Sequence, residues 1–151
     1  KQKEKVKLDD KFDEKVALLK FYPGQEPDVL DYYVKKKYRG IVIEMSGLGH
    51  LPTPSGGANS SWINKLKEIQ KKGIIVCASP QTIYGRLDPL VYSAGRELMK
   101  TGIIFLEDML SETALVKLGW VLAKTKDREK VKELMLTNFA GEINERLGFE
   151  E

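Results

Sequence analysis

The sequence predicts an α/β fold, a three-layer sandwich built on a short parallel sheet of about four strands and flavodoxin-like in architecture. Three observations predict it. Short β-branched apolar runs recur, the clearest being Gly40-Ile41-Val42-Ile43 and Ile74-Ile75-Val76-Cys77-Ala78, without the alternation of a strand that keeps one wet face. Segments with apolar residues at helical spacing lie between them. The resulting order, β-α-β-α-β-α-β-α-α, implies parallel strands joined by right-handed crossovers, with helices on both faces.

Taken in order, residues 1–15 are charged and weakly patterned and read as a linker or an arbitrary chain start. Residues 16–138 read as the folded domain and residues 139–151 as a tail. The first strand, 16–22, ends at Pro23-Gly24, a pair suited to a turn. In the next segment Val29, Leu30, Tyr33 and Val34 share one helical face, and Gly40 follows the helix end. The second strand, 41–45, runs into a long stretch of Gly, Pro, Ser, Thr and Asn reaching residue 59. Loops of that length inside a domain are usually functional. A helix from 60 or 61 to 72 carries Trp62, Ile63, Leu66 and Ile69 inward and ends at Gly73. The third strand, 74–78, leads to a second polar stretch, 79–89. A helix over 90–101 and a short strand over 102–106 follow. Ser111-Glu112-Thr113 is expected to cap a helix over 113–124, and Asp127 a last helix reaching about 138.

Composition bounds the function classes. The 151 residues suffice for one core, and a 42% hydrophobic share excludes a disordered chain. The single Cys77 excludes an internal disulfide and a cysteine zinc cluster. No apolar run approaches the roughly 20 residues a membrane helix needs. The start Lys1-Gln2-Lys3-Glu4-Lys5 is not followed by an export signal, so a cytoplasmic location and no membrane contact are expected. The wealth of Lys, Glu and Arg suits a thermophile. Net charge is +3, with basic clusters at Lys35-Lys36-Lys37-Arg39 and Lys71-Lys72. Both fall at predicted helix ends, where cations complement the helix dipole; a nucleic-acid surface is the alternative.

Chemistry is expected where the two polar stretches leave neighbouring strand ends. Ser46, His50, Thr53, Gln81, Thr82, Tyr84, Arg86 and Asp88 would converge there. Gly47-Leu48-Gly49 is half a dinucleotide fingerprint, but Pro52 and Pro54 obstruct the helix it needs. No glycine-lysine-serine/threonine triplet makes a phosphate loop, no serine sits in a nucleophile elbow, and one histidine makes no metal site. His50 has two readings, a hydrogen-bonded loop residue or a ligand contact. Asp88, before Pro89, has two as well, a helix cap or a site residue. No complete catalytic constellation is present.

Ordered motifs run through most of the chain: Phe21-Tyr22-Pro23-Gly24, Tyr38-Arg39-Gly40-Ile41-Val42-Ile43-Glu44, Gly47-Leu48-Gly49-His50, Gln81-Thr82-Ile83-Tyr84-Gly85-Arg86 and Glu107-Asp108-Met109-Leu110. With Ala114-Leu115-Val116-Lys117-Leu118-Gly119-Trp120 and Ala140-Gly141-Glu142-Ile143 they resemble the carboxyl-terminal half of the asparaginase/glutaminase family. The likeness is strongest to its archaeal glutamyl-tRNA(Gln) amidotransferase branch. That resemblance implies a subunit releasing ammonia from asparagine or glutamine for conversion of Glu-tRNA(Gln) to Gln-tRNA(Gln). It also implies a missing amino-terminal domain holding the threonine nucleophile, a homodimer, and a tRNA-binding partner subunit that uses ATP and Mg. This domain would supply no catalytic residue and no metal or cofactor ligand. Matched by position, Ser46, His50 and Asp88 would complete the amide-donor pocket, with Gln81, Thr82, Tyr84 and Arg86 as further loop contributors. An asparaginase carboxyl-terminal domain and an amino-acid- or tRNA-binding module are the other readings. Three departures stand out: Met45-Ser46 for an expected glycine-threonine, Pro80 for a serine, and Phe105-Leu106 for a proline-glycine turn.

Overall fold

A computed structural model describes residues 7–59 and 61–144. In it the four strands are β1 (Val16–Lys20), β2 (Gly40–Met45), β3 (Ile75–Pro80) and β4 (Ile104–Phe105), all parallel and ordered β1-β2-β3-β4. The helices are α1 (Val29–Lys35), α2 (Ser61–Lys71), α3 (Ser93–Met99), α4 (Ser111–Lys124) and α5 (Arg128–Leu136). The expected α/β sandwich is thus observed, with four strands and five helices. The linker and tail assigned from sequence both extend beyond the described residues, as does Ser60 ahead of α2.

The strands begin together because a backbone ladder joins their starts. Arg39 and Gly40 donate their amide N–H groups to the Lys15 carbonyl (2.7 and 3.2 Å), and Ile75 donates to that of Arg39 (2.9 Å). β2 is central and buried on both faces. Ile41, Ile43 and Met45 face α1, α2 and α3, joining Leu30, Trp62, Leu66, Ile69 and Leu98. Val42 faces α4 and α5 with Ile75, Cys77, Leu118, Val121 and Met135. Each large aliphatic side chain buried this way contributes about 1.5–3 kcal/mol. Gly40 lets α4 lie close, since a Cβ there would come within 2.7 Å of Leu118 and 2.8 Å of Leu122. No helix among the described residues is long and apolar enough to cross a membrane.

Local boundaries moved where tertiary contacts outweighed sequence signals. β3 continues through Ser79 and Pro80, so the second loop starts only at Gln81. Ser111 is not a cap but the first residue of α4; its hydroxyl donates to Glu44 Oε1 at 2.6 Å, across 67 residues. The expectation for Asp127 was met: its carboxylate accepts from the Lys130 amide at 2.8 Å. Residues 9–15 lie along α4, where Asp13 donates its amide N–H to the Gly119 carbonyl (3.0 Å) and pairs with Arg39. Gly119 is required because the Phe12 ring fills the space a Cβ would take.

A buried cation holds the segment after α5. Lys117 projects from α4 with its side chain 6% exposed and donates to the Thr137 carbonyl and to Glu142 Oε1, each at 2.6 Å. Its ammonium also lies 5.1 Å from the Phe139 ring centre. Burial by itself would raise the Glu142 carboxyl, but Lys117 and the amides of Phe139 and Ala140 overcome it and hold the group down at about 2. A depressed carboxylate contributes stability that is complete above its ordinary value near 4.5 and lost as pH falls toward 2. Thermal unfolding followed from pH 7 to pH 2 should therefore show part of the acid loss arising at this pair. Glu142→Gln should cost about 2 kcal/mol at pH 7 and flatten the decline below pH 5. An unchanged decline in that variant would show that the pair does not govern acid stability.

Candidate functional site

Met45 ends β2 with its side chain fully buried in the core, so the residue that departs from the expected glycine points away from the following loop. The loop then reverses at once. Gly49 and His50 donate their amides to the Ser46 carbonyl (3.1 and 2.9 Å), and Ser46 and His50 form an isolated antiparallel bridge. Two positive φ angles make the turn, 54° at Gly47 and 100° at Gly49. Gly49 is doubly constrained, because a Cβ would meet the Phe105 ring at 3.0 Å and Leu87 at 3.3 Å. This packing gives Phe105 a role in place of the expected turn residue: it supports the underside of the glycine turn.

The turn presents His50 in a specific way. Its Nε2 atom is buried without a hydrogen-bond partner among the described residues, and its ring meets Tyr92 edge-on at 5.3 Å. The Ser46 hydroxyl donates to the His50 backbone carbonyl (3.3 Å), not to the imidazole. Ser46 and His50 are therefore not arranged as a nucleophile and its base; the hydroxyl closes the turn. Farther along, Thr53 is buried and a short 3-10 turn at Pro54–Gly56 packs beside α3, so much of this long stretch has structure of its own.

The second loop is tied to the first through Asp88, whose amide donates to the Leu48 carbonyl at 3.0 Å. The Asp88 carboxylate accepts from the Leu90 amide at 3.2 Å, an Asx turn. It does not cap a helix: α3 starts at Ser93, with Tyr92 at its N-cap and no side-chain cap. Gly95 then packs α3 against the same loop so tightly that a Cβ would lie 2.4 Å from the Pro89 carbonyl oxygen.

The other loop residues separate from this pair. Gln81 turns back into the sheet, donating through Nε2 to the carbonyls of Phe21 (2.5 Å) and Glu44 (3.1 Å). It clamps the ends of β1 and β2. Thr82 is exposed and its hydroxyl fills the concavity beside Gly85. Tyr84 is 93% exposed. Arg86 reaches toward β4 and pairs with Glu107. The structure thus joins Ser46 and His50 in one turn, ties the Asp88 backbone to that turn, and leaves Gln81, Thr82 and Arg86 in separate local roles with Tyr84 on the surface. Tyr92, edge-on to His50, belongs beside the turn and was not singled out from sequence, since only packing of distant elements places it there. Glu107, part of an ordered sequence motif, joins through its backbone carbonyl, which accepts from the Leu87 amide at 2.8 Å.

The larger cavities among the described residues lie away from His50. One of about 660 Å³ lies at the β4 edge and is lined by Asp88 and Arg86 themselves, with Phe105 and Arg128. A groove of about 670 Å³ runs along α4 between Phe12 and Phe139. Tyr92, against the His50 ring, is more than half exposed, as are Ile83, Tyr84, Leu90 and Val91 in the second loop and the stretch leading to α3. Chemically reactive groups are scarce here. Cys77 is fully buried, and desolvation pushes its thiol up to about 12, far from a nucleophile's range. The described residues contain no group of three His, Cys, Asp or Glu that could hold a metal.

Residues 15–135 match the model of the glutaminase/asparaginase C-terminal domain. The chain is 50% identical over 138 residues to a glutamyl-tRNA(Gln) amidotransferase subunit from Thermococcus kodakarensis, covering 91% of this chain and 30% of that relative. It is 46% identical over 146 residues to the corresponding subunit from Sulfurisphaera tokodaii, covering 97% of this chain and 31% of the other. The chain thus spans about a third of the length of these relatives. Among solved structures it is similar to a thermostable L-asparaginase from Thermococcus kodakarensis, with TM-score 0.79 and 32% identity over 90% of this chain and 40% of that one. L-asparaginase I from Vibrio cholerae gives TM-score 0.75 and 26% identity over 86% and 38%.

The Gln81 clamp provides a test of how the loops are held. Gln81→Leu removes two hydrogen bonds and leaves the Phe21 carbonyl without that donor, while Glu44 keeps the Phe21 amide, so urea unfolding should show a loss of about 1–3 kcal/mol. A loss below about 0.5 kcal/mol would mean that the strand ends are fixed without it.

Proposed function

Because the chain belongs to the glutaminase/asparaginase C-terminal domain family, we propose that it is the C-terminal domain of an ammonia-releasing glutamyl-tRNA(Gln) amidotransferase subunit. In this reading it walls the amide-donor pocket and does not cleave the amide. The observation that carries the proposal is the backbone hydrogen bond from Asp88 to Leu48, which fixes the second loop against the His50 turn beside exposed apolar residues. The partly exposed His50 side chain, held in a fixed turn, is suited to line a pocket that another domain closes. The exposed apolar residues Ile83, Tyr84 and Leu90 are suited to be covered by the same docking.

Within that arrangement each residue has a task. The Ser46 hydroxyl closes the turn, Gly49 brings it down onto Phe105, and Tyr92 steadies the imidazole from the side. Asp88, braced against Leu48, supplies a carboxylate near the incoming donor, where it can orient an α-amino group. The amide bond would be opened by a threonine of the amino-terminal domain. The ammonia would pass to a tRNA-binding partner subunit, which uses ATP and Mg to activate the glutamate of Glu-tRNA(Gln). Assembly as a homodimer would place the wall against a neighbouring subunit. A family alternative, the same wall in an L-asparaginase, rests on the structural likeness to the two asparaginases.

Reconstitution tests the proposal. The purified chain should release no ammonia from asparagine or glutamine. Rejoined to an amino-terminal domain of the amidotransferase type, it should restore release, and His50→Ala should raise KM for the donor by about tenfold with its folding intact. Ammonia release by the chain alone, abolished by that change, would overturn the assignment of a wall without a nucleophile.

A further inference from the structure

The opposite end of the sheet carries a different chemistry. In a parallel α/β sandwich each crossover helix runs against the strands, so its last turn reaches the end where the next strand begins. Here α1, α2 and α3 finish at that end, ahead of β2, β3 and β4. α4 finishes there too, since Arg39, just ahead of β2, donates to the Leu122 carbonyl in its last turn at 3.1 Å. The helix tips bring Lys35, Lys36, Lys37, Lys71, Lys72, Lys100, Lys124 and Lys126 onto one face, all of them exposed.

Dipole complementation accounts for only part of this set. Lys35, Lys71 and Lys124 lie in the last turns of their helices, where a cation is stabilised. Lys36, Lys37, Lys72, Lys100 and Lys126 lie past the helix ends. Nor are the charges neutralised locally. Lys72 pairs with Glu68 and Lys124 with Asp9, but Lys35, Lys36, Lys37, Lys71, Lys100 and Lys126 form no ion pair among the described residues. Glu14, Asp127 and Glu129 are exposed at the same end, but six unpaired lysines outnumber them and leave it positively charged. Beside the densest part stands an aromatic group. Tyr32 is 56% exposed and one helical turn from Lys35 and Lys36; it meets Tyr33 edge-on at 5.5 Å, and Tyr33 meets Tyr38 at 5.1 Å.

We propose that this strand-start face binds structured RNA, its lysines following the phosphate backbone and Tyr32 stacking on an unpaired base. Lysines spread over four helix tips match a path of phosphates better than a single small anion. An exposed tyrosine flanked by cations favours a nucleic acid with unpaired bases over a continuous duplex. The face lies at the opposite end of the sheet from His50, so the inference does not rest on the donor-pocket reading and can fail independently of it.

Fluorescence anisotropy with the whole chain and a labelled RNA hairpin carrying an unpaired loop, over a salt series, tests it. A duplex DNA of equal length serves as comparison. Binding to the hairpin should weaken steeply with salt and exceed binding to the duplex. Lys35→Glu, Lys36→Glu and Lys37→Glu together should cost at least about tenfold in affinity and lower the logarithmic salt slope by about 2. Lys71→Glu with Lys100→Glu should weaken binding independently, and Tyr32→Ala several-fold with less change in slope. A charge-matched control away from that face, Lys11→Glu with Lys20→Glu and Lys132→Glu, should leave most of the affinity. Thermal unfolding would confirm that each variant folds. No binding, an equal loss in the control, or duplex DNA bound as tightly as the hairpin would each overturn the proposal.

Discussion

A strand buried on both faces can meet solvent, ligand or partner only at its two ends, and β2 is such a strand. Ile41, Ile43 and Met45 are sealed under three helices, while Val42 is sealed under α4 and Gly40 leaves room for Leu118 and Leu122. The neighbouring β3 is buried along its whole length. The sheet's middle is therefore committed to packing, and function is left to the loops at one end and the helix tips at the other. The two ends differ for a physical reason. Strand ends open into loops of free composition, whereas helix C-termini favour cations and so collect positive charge.

At the loop end the design is rigid. The first polar stretch returns on Ser46 within a few residues, is pinned to the second by the Leu48–Asp88 hydrogen bond, and rests on Phe105 and Leu87. Gly95 presses α3 against Pro89 from behind, so neither loop can shift without disturbing the core. A preorganised polar tip surrounded by exposed apolar side chains suits a surface that another domain closes.

The far side of α4 shows how a short segment is held without a large core. Lys117 is buried in the helix, and its charge is tolerated only because a carbonyl, a carboxylate and an aromatic face surround it. Residues 137–142 supply all three. Their order depends on one ammonium, and that ammonium's burial depends on them.

The sequence by itself determined the element order, the parallel sheet, the buried state of Cys77 and the Asp127 cap, because each follows from residues near one another in the chain. Hydrophobic periodicity and capping chemistry act over one or two turns and survive in any fold that keeps the segment. It also marked both loops as chemically rich and His50 as the residue to follow. Tertiary structure alone decided what those residues do. Gln81 was as polar and as well placed as His50, yet it clamps two strand ends because the carbonyls of Phe21 and Glu44 lie within reach. Ser111 looked like a cap and became a partner for Glu44 across 67 residues. Tyr92 reached His50, and separate lysine clusters became one face, only when the sheet brought their elements together. Such contacts depend on where packing places distant backbone, and no local pattern encodes that.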